Sequence, residues 1–133
     1  LIAEALHPYP DDLVIATKGG QVRPGPSRWD PDGRPKHLRE ACEGSLRRLR
    51  LDQIPLYQLH RLDPRVPLAE SVGALAELKD EGKIRFFGVS INDLQPGNAV
   101  RLIETGAVDA VQVIYNIFEQ APEEVDVRGI LVA

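Results

Sequence analysis

The sequence has 133 residues, of which 43% are hydrophobic and 27% are charged, so it can bury the core of one globular domain. Its net charge of −4 gives no reason to expect a nucleic acid as a partner, and no apolar run approaches the length of a membrane span. The single cysteine, Cys42, cannot form an internal disulfide, which favours a reducing, cytoplasmic location.

Four short apolar runs, each of which ends in a polar residue, predict four β-strands. The first run is nearly continuous rather than alternating, as expected of a parallel strand that is covered on both faces. Asp11 and Asp12 precede it, and Gly19 and Gly20 follow it. In chain order, the predicted strands are Leu13 to Lys18, Ile54 to His60, Ile84 to Ser90 and Val108 to Asn116.

The segments between these strands have the periodicity of amphipathic helices. His37 to Arg50 places its apolar residues and Cys42 along one face, and Pro67 to Glu81 repeats the pattern. Gly82 follows the second helix, at the position where a left-handed helix end is favoured. A shorter helix is predicted at Pro96 to Glu104, and Leu1 to Leu6 is interpreted as the end of another helix.

Alternating strands and helices predict an α/β fold with a parallel sheet, because parallel strands need a crossover connection that a helix usually supplies. No strand is followed by a G-x-G-x-x-G or G-x-x-x-x-G-K motif, so a TIM barrel is favoured over a nucleotide-binding open sheet. A complete (β/α)8 barrel takes about 250 residues, so this barrel would be partial. Its strands would bring four polar residues together at one rim: Lys18, His60, Ser90 and Gln112.

Two of these residue types suit carbonyl chemistry. A lysine can depress the pKa of a neighbouring tyrosine, and a neutral histidine can donate a hydrogen bond to a carbonyl oxygen. The residues alone also allow Lys18 to be a solvated strand end, His60 a core histidine, Gln112 an amide bonded to backbone and Ser90 a helix cap. Three dispersed histidines and one cysteine predict no metal site.

The proline- and glycine-rich segment Arg23 to Pro35 is predicted to be a loop. It follows the strand that ends at Lys18, and substrate loops of barrel enzymes lie in that position. Trp29 within it could wall a pocket, or it could instead cover the end of a helix.

Four segments resemble, in order and spacing, the third to sixth strand regions of the aldo-keto reductases: LVIATKGG, LYQLHRLD, GKIRFFGVSIND and VDAVQVIYNIFEQ. The resemblance implies an active-site tetrad of Asp, Tyr, Lys and His, in which Lys18 is the lysine and His60 the histidine. The Asp and the Tyr would lie upstream of Leu1. Because the chain starts with Leu1 rather than Met, we expect its natural N-terminus to be missing.

The resemblance also implies a dinucleotide cofactor, NADP or NAD with NADPH favoured, whose carboxamide is held by Ser90 and Gln112. The family motif places Asn directly after the serine, whereas this chain reads Ser90-Ile91-Asn92, so Asn92 is offered as a displaced substitute. Most of the family's other cofactor contacts come from strand regions beyond Ala133. Residues 1–133 are therefore expected to form an incomplete barrel domain, truncated at both ends. The connection at 121–128 is short for the family, so either its helix is shortened or the sequence has lost a piece there.

The resemblance thus implies an oxidoreductase that uses NAD(P)H to reduce a small aldehyde or ketone to an alcohol. No tyrosine of the chain is well placed as proton donor, because Tyr57 and Tyr115 fall on the other face of their strands and Tyr9 precedes the first strand. We therefore expect the chain alone to be inactive. The alternatives are a non-catalytic cofactor-sensing or interaction subunit, or remnant, of the same scaffold, and a different barrel enzyme with Lys18 as Schiff-base nucleophile.

Overall fold

A computed structural model describes residues 1–91, 100, 102–114 and 117 of the chain. Up to residue 91 helices and strands alternate, apart from one β-hairpin between the first strand and the second helix. In chain order the elements are α1 (Ile2–Leu6), β1 (Ala16–Gly19), β2 (Gln21–Gly25), β3 (Arg28–Pro31), α2 (Pro35–Leu49), β4 (Ile54–Leu59), α3 (Leu68–Asp80), β5 (Ile84–Ile91) and β6 (Ala110–Val113).

Four of these strands form one parallel sheet in the order β1-β4-β5-β6. Each strand lies beside the next parallel strand of the chain, and the helices α2 and α3 supply the crossovers from β1 to β4 and from β4 to β5. Neighbouring parallel strands joined by helices are the repeating unit of a (β/α)8 barrel. The protein is therefore a partial (β/α)8 barrel of the α/β class, as predicted.

The core lies between this sheet and the helices. Tyr57 and Leu59 of β4 and Phe87 and Val89 of β5 are at most 1% exposed, and they pack in one cluster with apolar residues of α2 and α3. Side chains alternate between the two faces of a strand, so the residues between them belong to the opposite face. Phe86 is 43% exposed. One face of the sheet is thus sealed by helices, whereas the other is partly open.

The helices end where local geometry dictates. Pro35, whose fixed φ suits a first helical residue, begins α2, and Arg50 closes it in the left-handed conformation with φ of 55°. Gly82, predicted as a left-handed stop, has φ of 73° just after α3. The two helices are joined by the guanidinium of Arg39, which forms ion pairs with Glu77 and Glu81.

The segment Arg23 to Pro35, predicted to be a loop, instead contains most of an antiparallel hairpin formed by β2 and β3. Val22 pairs with Asp30 and Gly25 with Arg28, and Ser27 takes a positive φ of 53° at the turn. Proline is tolerated here because neither strand has a second neighbour in this two-stranded sheet. The loop prediction was wrong because two short edge strands carry too little periodicity to be recognised.

Strand limits also differ from the prediction. The first strand begins at Ala16, three residues after Leu13, and Val14 is 69% exposed. The last strand begins at Ala110, two residues after Val108, and Asp109 before it accepts the Phe87 N–H with its carboxylate at 3.0 Å. The predicted helix at 96–104 and the predicted end of the last strand fall partly outside the described residues, and the connection at 121–128 lies wholly outside them.

Gly19 is required by close packing at the end of β1. A Cβ atom added at Gly19 would lie 2.8 Å from Cζ of the buried Tyr57 ring. We predict that Gly19→Ala lowers the free energy of unfolding by about 3 kcal/mol, because the ring cannot move without disturbing the core. Urea unfolding followed by circular dichroism would measure this.

Gly73 offers the matched control. It lies within α3, and a Cβ added there would meet nothing within 4 Å. Gly73→Ala is therefore expected to stabilise the chain by about 0.5–1 kcal/mol, through helix propensity alone. Equal stability of Gly19→Ala and the parent chain would show that the ring of Tyr57 does not occupy this position.

Candidate active site

The four predicted rim residues lie on adjoining parts of the parallel sheet. Lys18 of β1 pairs with Gln58 of β4, which pairs in turn with Gly88 of β5. His60 comes two residues after Gln58, so it belongs to the next layer along the same face. Ser90 and Gln112 pair with each other across β5 and β6 in that next layer. The structure thus brings all four residues to the carboxyl ends of the strands on one face.

Gly88 lies in the same layer as Lys18 and Gln58 and adds no side chain to it. A Cβ added at Gly88 would come 2.8 Å from the carbonyl oxygen of Ala110, so no larger residue fits the backbone here. Gly88 pairs with Gln58 on one side and with Ala110 on the other. Among the described residues of this layer, the long polar side chains are therefore those of Gln58 and Lys18. Gln58 is 8% exposed and was not proposed from the sequence as a site residue.

His60 is held by its backbone against the strand that carries Lys18. Its N–H donates to the carbonyl oxygen of Gly19 at 2.7 Å. Burial lowers the pKa of the imidazole, and the positive charges of Lys18 and Arg61 lower it further. The imidazole is therefore neutral at pH 7 and can donate one hydrogen bond to an uncharged acceptor such as a carbonyl oxygen.

The tyrosines of the described residues do not join this site. Tyr57 is fully buried on the helix side of the sheet, where burial raises the pKa of its hydroxyl, and the hydroxyl has no hydrogen-bond partner in the described part of the chain. Tyr9 donates its hydroxyl hydrogen to the carbonyl oxygen of Leu49 at 2.8 Å. Tyr115 lies outside the described residues. Neither described tyrosine is available as a proton donor beside His60.

Ser90 and Gln112 have the groups that a carboxamide would need. Ser90 lies within β5 rather than at a helix start, is 4% exposed, and offers a hydroxyl that can donate and accept. Its register partner Gln112 is half-buried and carries both an amide donor and an amide acceptor. The pair therefore fits a nicotinamide carboxamide in its chemistry. Asn92, offered as a further cofactor contact, lies outside the described residues.

Two aspartates near the site were missed in the sequence. Asp63 is 7% exposed and Asp32 is 6% exposed, and each pairs with an arginine two residues further along the chain. The repeated Asp-x-Arg spacing, at 32–34 and 63–65, was the available signal. It is a weak signal, because most such pairs on a protein surface contribute little.

Trp29 lies on β3 of the hairpin and is 54% exposed. The guanidinium of Arg23 stacks over its ring, 5.1 Å from the centroid. In this position the ring contacts an arginine of its own hairpin.

Among the described residues, no cluster of three or more His, Cys, Asp or Glu side chains could hold a metal ion. Across the same ranges, no helix combines the length and the apolar character that crossing a membrane requires.

The family model of the aldo/keto reductases matches residues 1–131. The chain belongs to the aldo/keto reductase family. An uncharacterised oxidoreductase of Schizosaccharomyces pombe is 42% identical over 128 residues, which cover 94% of this chain and 40% of that protein. A probable aldo-keto reductase of Glycine max is 34% identical over 125 residues, covering 93% of this chain and 36% of that protein.

Solved aldo-keto reductase structures share the fold. The holo form of an aldo-keto reductase from Bacillus halodurans superposes with a TM-score of 0.74 at 33% identity, over 86% of this chain and 38% of that one. A glycerol dehydrogenase from Gluconobacter oxydans gives a TM-score of 0.77 at 33% identity, over 92% of this chain and 38% of that one. The chain thus spans about two fifths of the length of the relatives it matches.

The electrostatic coupling of the site can be measured through His60. We predict that its imidazole titrates below the ordinary histidine range and that Lys18→Met moves the midpoint part of the way upward. The shift is partial because burial, the larger cause, remains. Histidine NMR chemical shifts followed against pH would record both midpoints.

Lys36→Met is the control, because Lys36 is an exposed residue of α2 that does not act on His60. It should leave the His60 midpoint in place. An unchanged midpoint in Lys18→Met would mean that the lysine charge does not reach the imidazole.

Proposed function

We propose that the protein carries the lysine and histidine half of an aldo-keto reductase active site, which reduces an aldehyde or ketone to an alcohol with NAD(P)H. The observation that carries this proposal is the placement of Lys18 and His60 on adjoining strands of one sheet face, with a neutral imidazole. Membership of the family supports the reaction class, because the named relatives include oxidoreductases and aldo-keto reductases.

Each residue has a role that follows from its charge. The ammonium of Lys18 would favour the ionised form of a nearby tyrosine and so make that tyrosine a better proton donor to the substrate oxygen. The neutral imidazole of His60 would donate a hydrogen bond to the same oxygen, which orients the carbonyl and stabilises negative charge as it develops. A dinucleotide held beside these residues would provide the hydride for the carbonyl carbon, while Lys18 and His60 would act on the carbonyl oxygen.

The cofactor site is proposed to include Ser90 and Gln112, which would bind the carboxamide and thereby orient the nicotinamide ring. Their pairing across β5 and β6, directly beyond the layer of Lys18, supports this assignment. Asn92 is retained as a further proposed contact on its sequence position alone. NADPH is favoured over NADH on the family resemblance.

The 133-residue chain, which we propose to be a single incomplete barrel domain, is expected to lack reductase activity by itself. The family's tetrad also needs an Asp and a Tyr, and neither Tyr9 nor Tyr57 is free to serve. Purified chain incubated with NADPH and an aromatic aldehyde should therefore show no steady loss of NADPH absorbance. Steady turnover would contradict this expectation and would mean that the chain itself contains a proton donor for the substrate oxygen.

The catalytic roles can be tested in a chimaera in which this chain replaces the matching segment of the Bacillus halodurans aldo-keto reductase. In it, Lys18→Met and His60→Gln are each expected to lower kcat/KM for an aromatic aldehyde by about 100-fold or more, as for loss of general acid–base groups. Stopped-flow measurement of hydride transfer would separate loss of chemistry from loss of binding.

Tyr57→Phe is the matched control for the chimaera. It removes a polar group from a strand next to the site, but on the helix face, so kcat/KM should remain that of the unmodified chimaera. Full activity in both the Lys18 and the His60 variants would overturn the proposed roles.

A further inference from the structure

Three short segments meet beside the candidate site: Gly19–Gly20, directly after Lys18; Asp32–Gly33, at the end of the hairpin; and His60–Asp63. Three hydrogen bonds connect these segments pairwise, so that the segments and the bonds together form a closed ring. We call it the hydrogen-bond ring. These bonds run from the His60 N–H to the Gly19 carbonyl at 2.7 Å, from the Asp32 N–H to the Gly20 carbonyl at 3.0 Å, and from the Gly33 N–H to Asp63 Oδ2 at 3.1 Å.

Asp63 is the only side chain among these three bonds, and it is kept ionised. Besides the Gly33 N–H, it accepts the backbone N–H of Arg65 at 3.0 Å and two guanidinium N–H groups of Arg65 at 2.9 and 3.0 Å. The hydrogen bonds of Arg65 lower the pKa of the Asp63 carboxyl to about 2, against the opposing effect of burial. The ring is therefore closed by a fixed negative charge throughout the physiological pH range.

Gly33 is held from both sides. Its N–H donates to Asp63, and its carbonyl oxygen accepts the Ser71 hydroxyl of α3 at 2.7 Å. A Cβ at Gly33 would come 2.8 Å from Ser71 Oγ and 3.1 Å from Asp63 Cβ, so the fit depends on the absence of a side chain. The end of the hairpin is thus anchored to the segment after His60 and to the start of α3.

The arginines around the ring are already neutralised. A cleft of about 640 Å³ lies between the hairpin and the segment after His60, and both Asp-Arg pairs line it. Arg34 pairs with Asp32, and Arg65 pairs with Asp63 and also donates to the carbonyl oxygen of Pro31. Each guanidinium is thus paired with a carboxylate of the protein itself.

We infer that Asp63 is a positioning residue that holds His60 against the strand carrying Lys18, by closing the hydrogen-bond ring through Gly33. His60 lies just past the last residue of β4, so the hydrogen bonds of the ring add to the register of the sheet in holding its backbone. The bond to Gly19 fixes its N–H, and Asp63 fixes the chain three residues later. The functional meaning of this placement rests on the proposed function, whereas the placement itself can be measured without turnover.

Asp63→Asn in the 133-residue chain removes the charge at nearly constant shape. We expect hydrogen exchange of the Gly33 and His60 amides to accelerate by about tenfold or more, because local opening of the ring becomes easier. The His60 imidazole should also titrate higher, closer to the ordinary histidine range, since its burial and its proximity to Lys18 are both relaxed. NMR-detected exchange and pH titration give the two readouts.

Asp30→Asn is the matched control. Asp30 also pairs with an arginine two residues away, Arg28, and it lies on the same hairpin, but the pair is exposed and does not belong to the ring. Asp30→Asn should change neither readout. If Asp63→Asn remained folded and left the His60 amide and titration midpoint unchanged, the positioning role would be excluded.

Arg65→Gln covers the case in which Asp63→Asn does not fold. It keeps the Asp63 carboxylate and its bond to Gly33, and it removes only the guanidinium, so a smaller change in the same direction is expected. No change at His60 in Arg65→Gln would overturn the inference. If Asp63→Asn changed the His60 readouts while the Lys18→Met and His60→Gln chimaeras kept full activity, the inference would stand and the proposed function alone would be contradicted.

Discussion

The parallel pairing of β1 with β4 is the constraint on which the rest of the site depends. It sets Lys18 opposite Gln58 and brings the His60 N–H to the Gly19 carbonyl. Because successive side chains of a strand point to opposite faces, a shift of one residue in this register would turn Lys18 toward the helices. The packing of the Tyr57 ring over Gly19 opposes such a shift, since no other residue of β1 would leave space for that ring. The core on one face therefore fixes the positions of the candidate site residues on the other.

The two faces of the sheet differ in what stabilises them. The helix face is closed by apolar packing and by ion pairs between α2 and α3, whereas the opposite face leaves Phe86 43% exposed. In a complete (β/α)8 barrel that face is the packed interior. The candidate residues are consequently held by backbone register, by the hydrogen-bond ring and by the core behind them, and not by packing across a closed barrel.

The sequence was sufficient for the parallel sheet, because apolar runs alternating with amphipathic helices leave few other topologies. It also identified Lys18 and Ser90 as rim residues, since each ends an apolar run and strand ends converge in a barrel. It did not reveal the hairpin, whose strands are short and contain proline. Asp63 was also missed. Its hydrogen-bond partner Gly33 lies 30 positions away in the sequence and contributes only a backbone N–H. Periodicity reports which face of an element is buried, and it carries no information about such polar contacts.

The charge of Lys18 affects the protonation of His60, and it would affect that of a neighbouring tyrosine as well. A neutral imidazole can serve as a hydrogen-bond donor to a carbonyl, and His60 is kept neutral by burial and by the charge of Lys18. The same charge would favour ionisation of a neighbouring tyrosine, so the lysine would add to the effect of burial on the imidazole and act in the opposite sense on the tyrosine. In the described residues, the pKa of His60 is lowered in this way although neither Tyr9 nor Tyr57 belongs to the site. In the proposed site, Lys18 and His60 are therefore held in place by structure that this chain itself contains, and the proton donor would come from another part of a barrel.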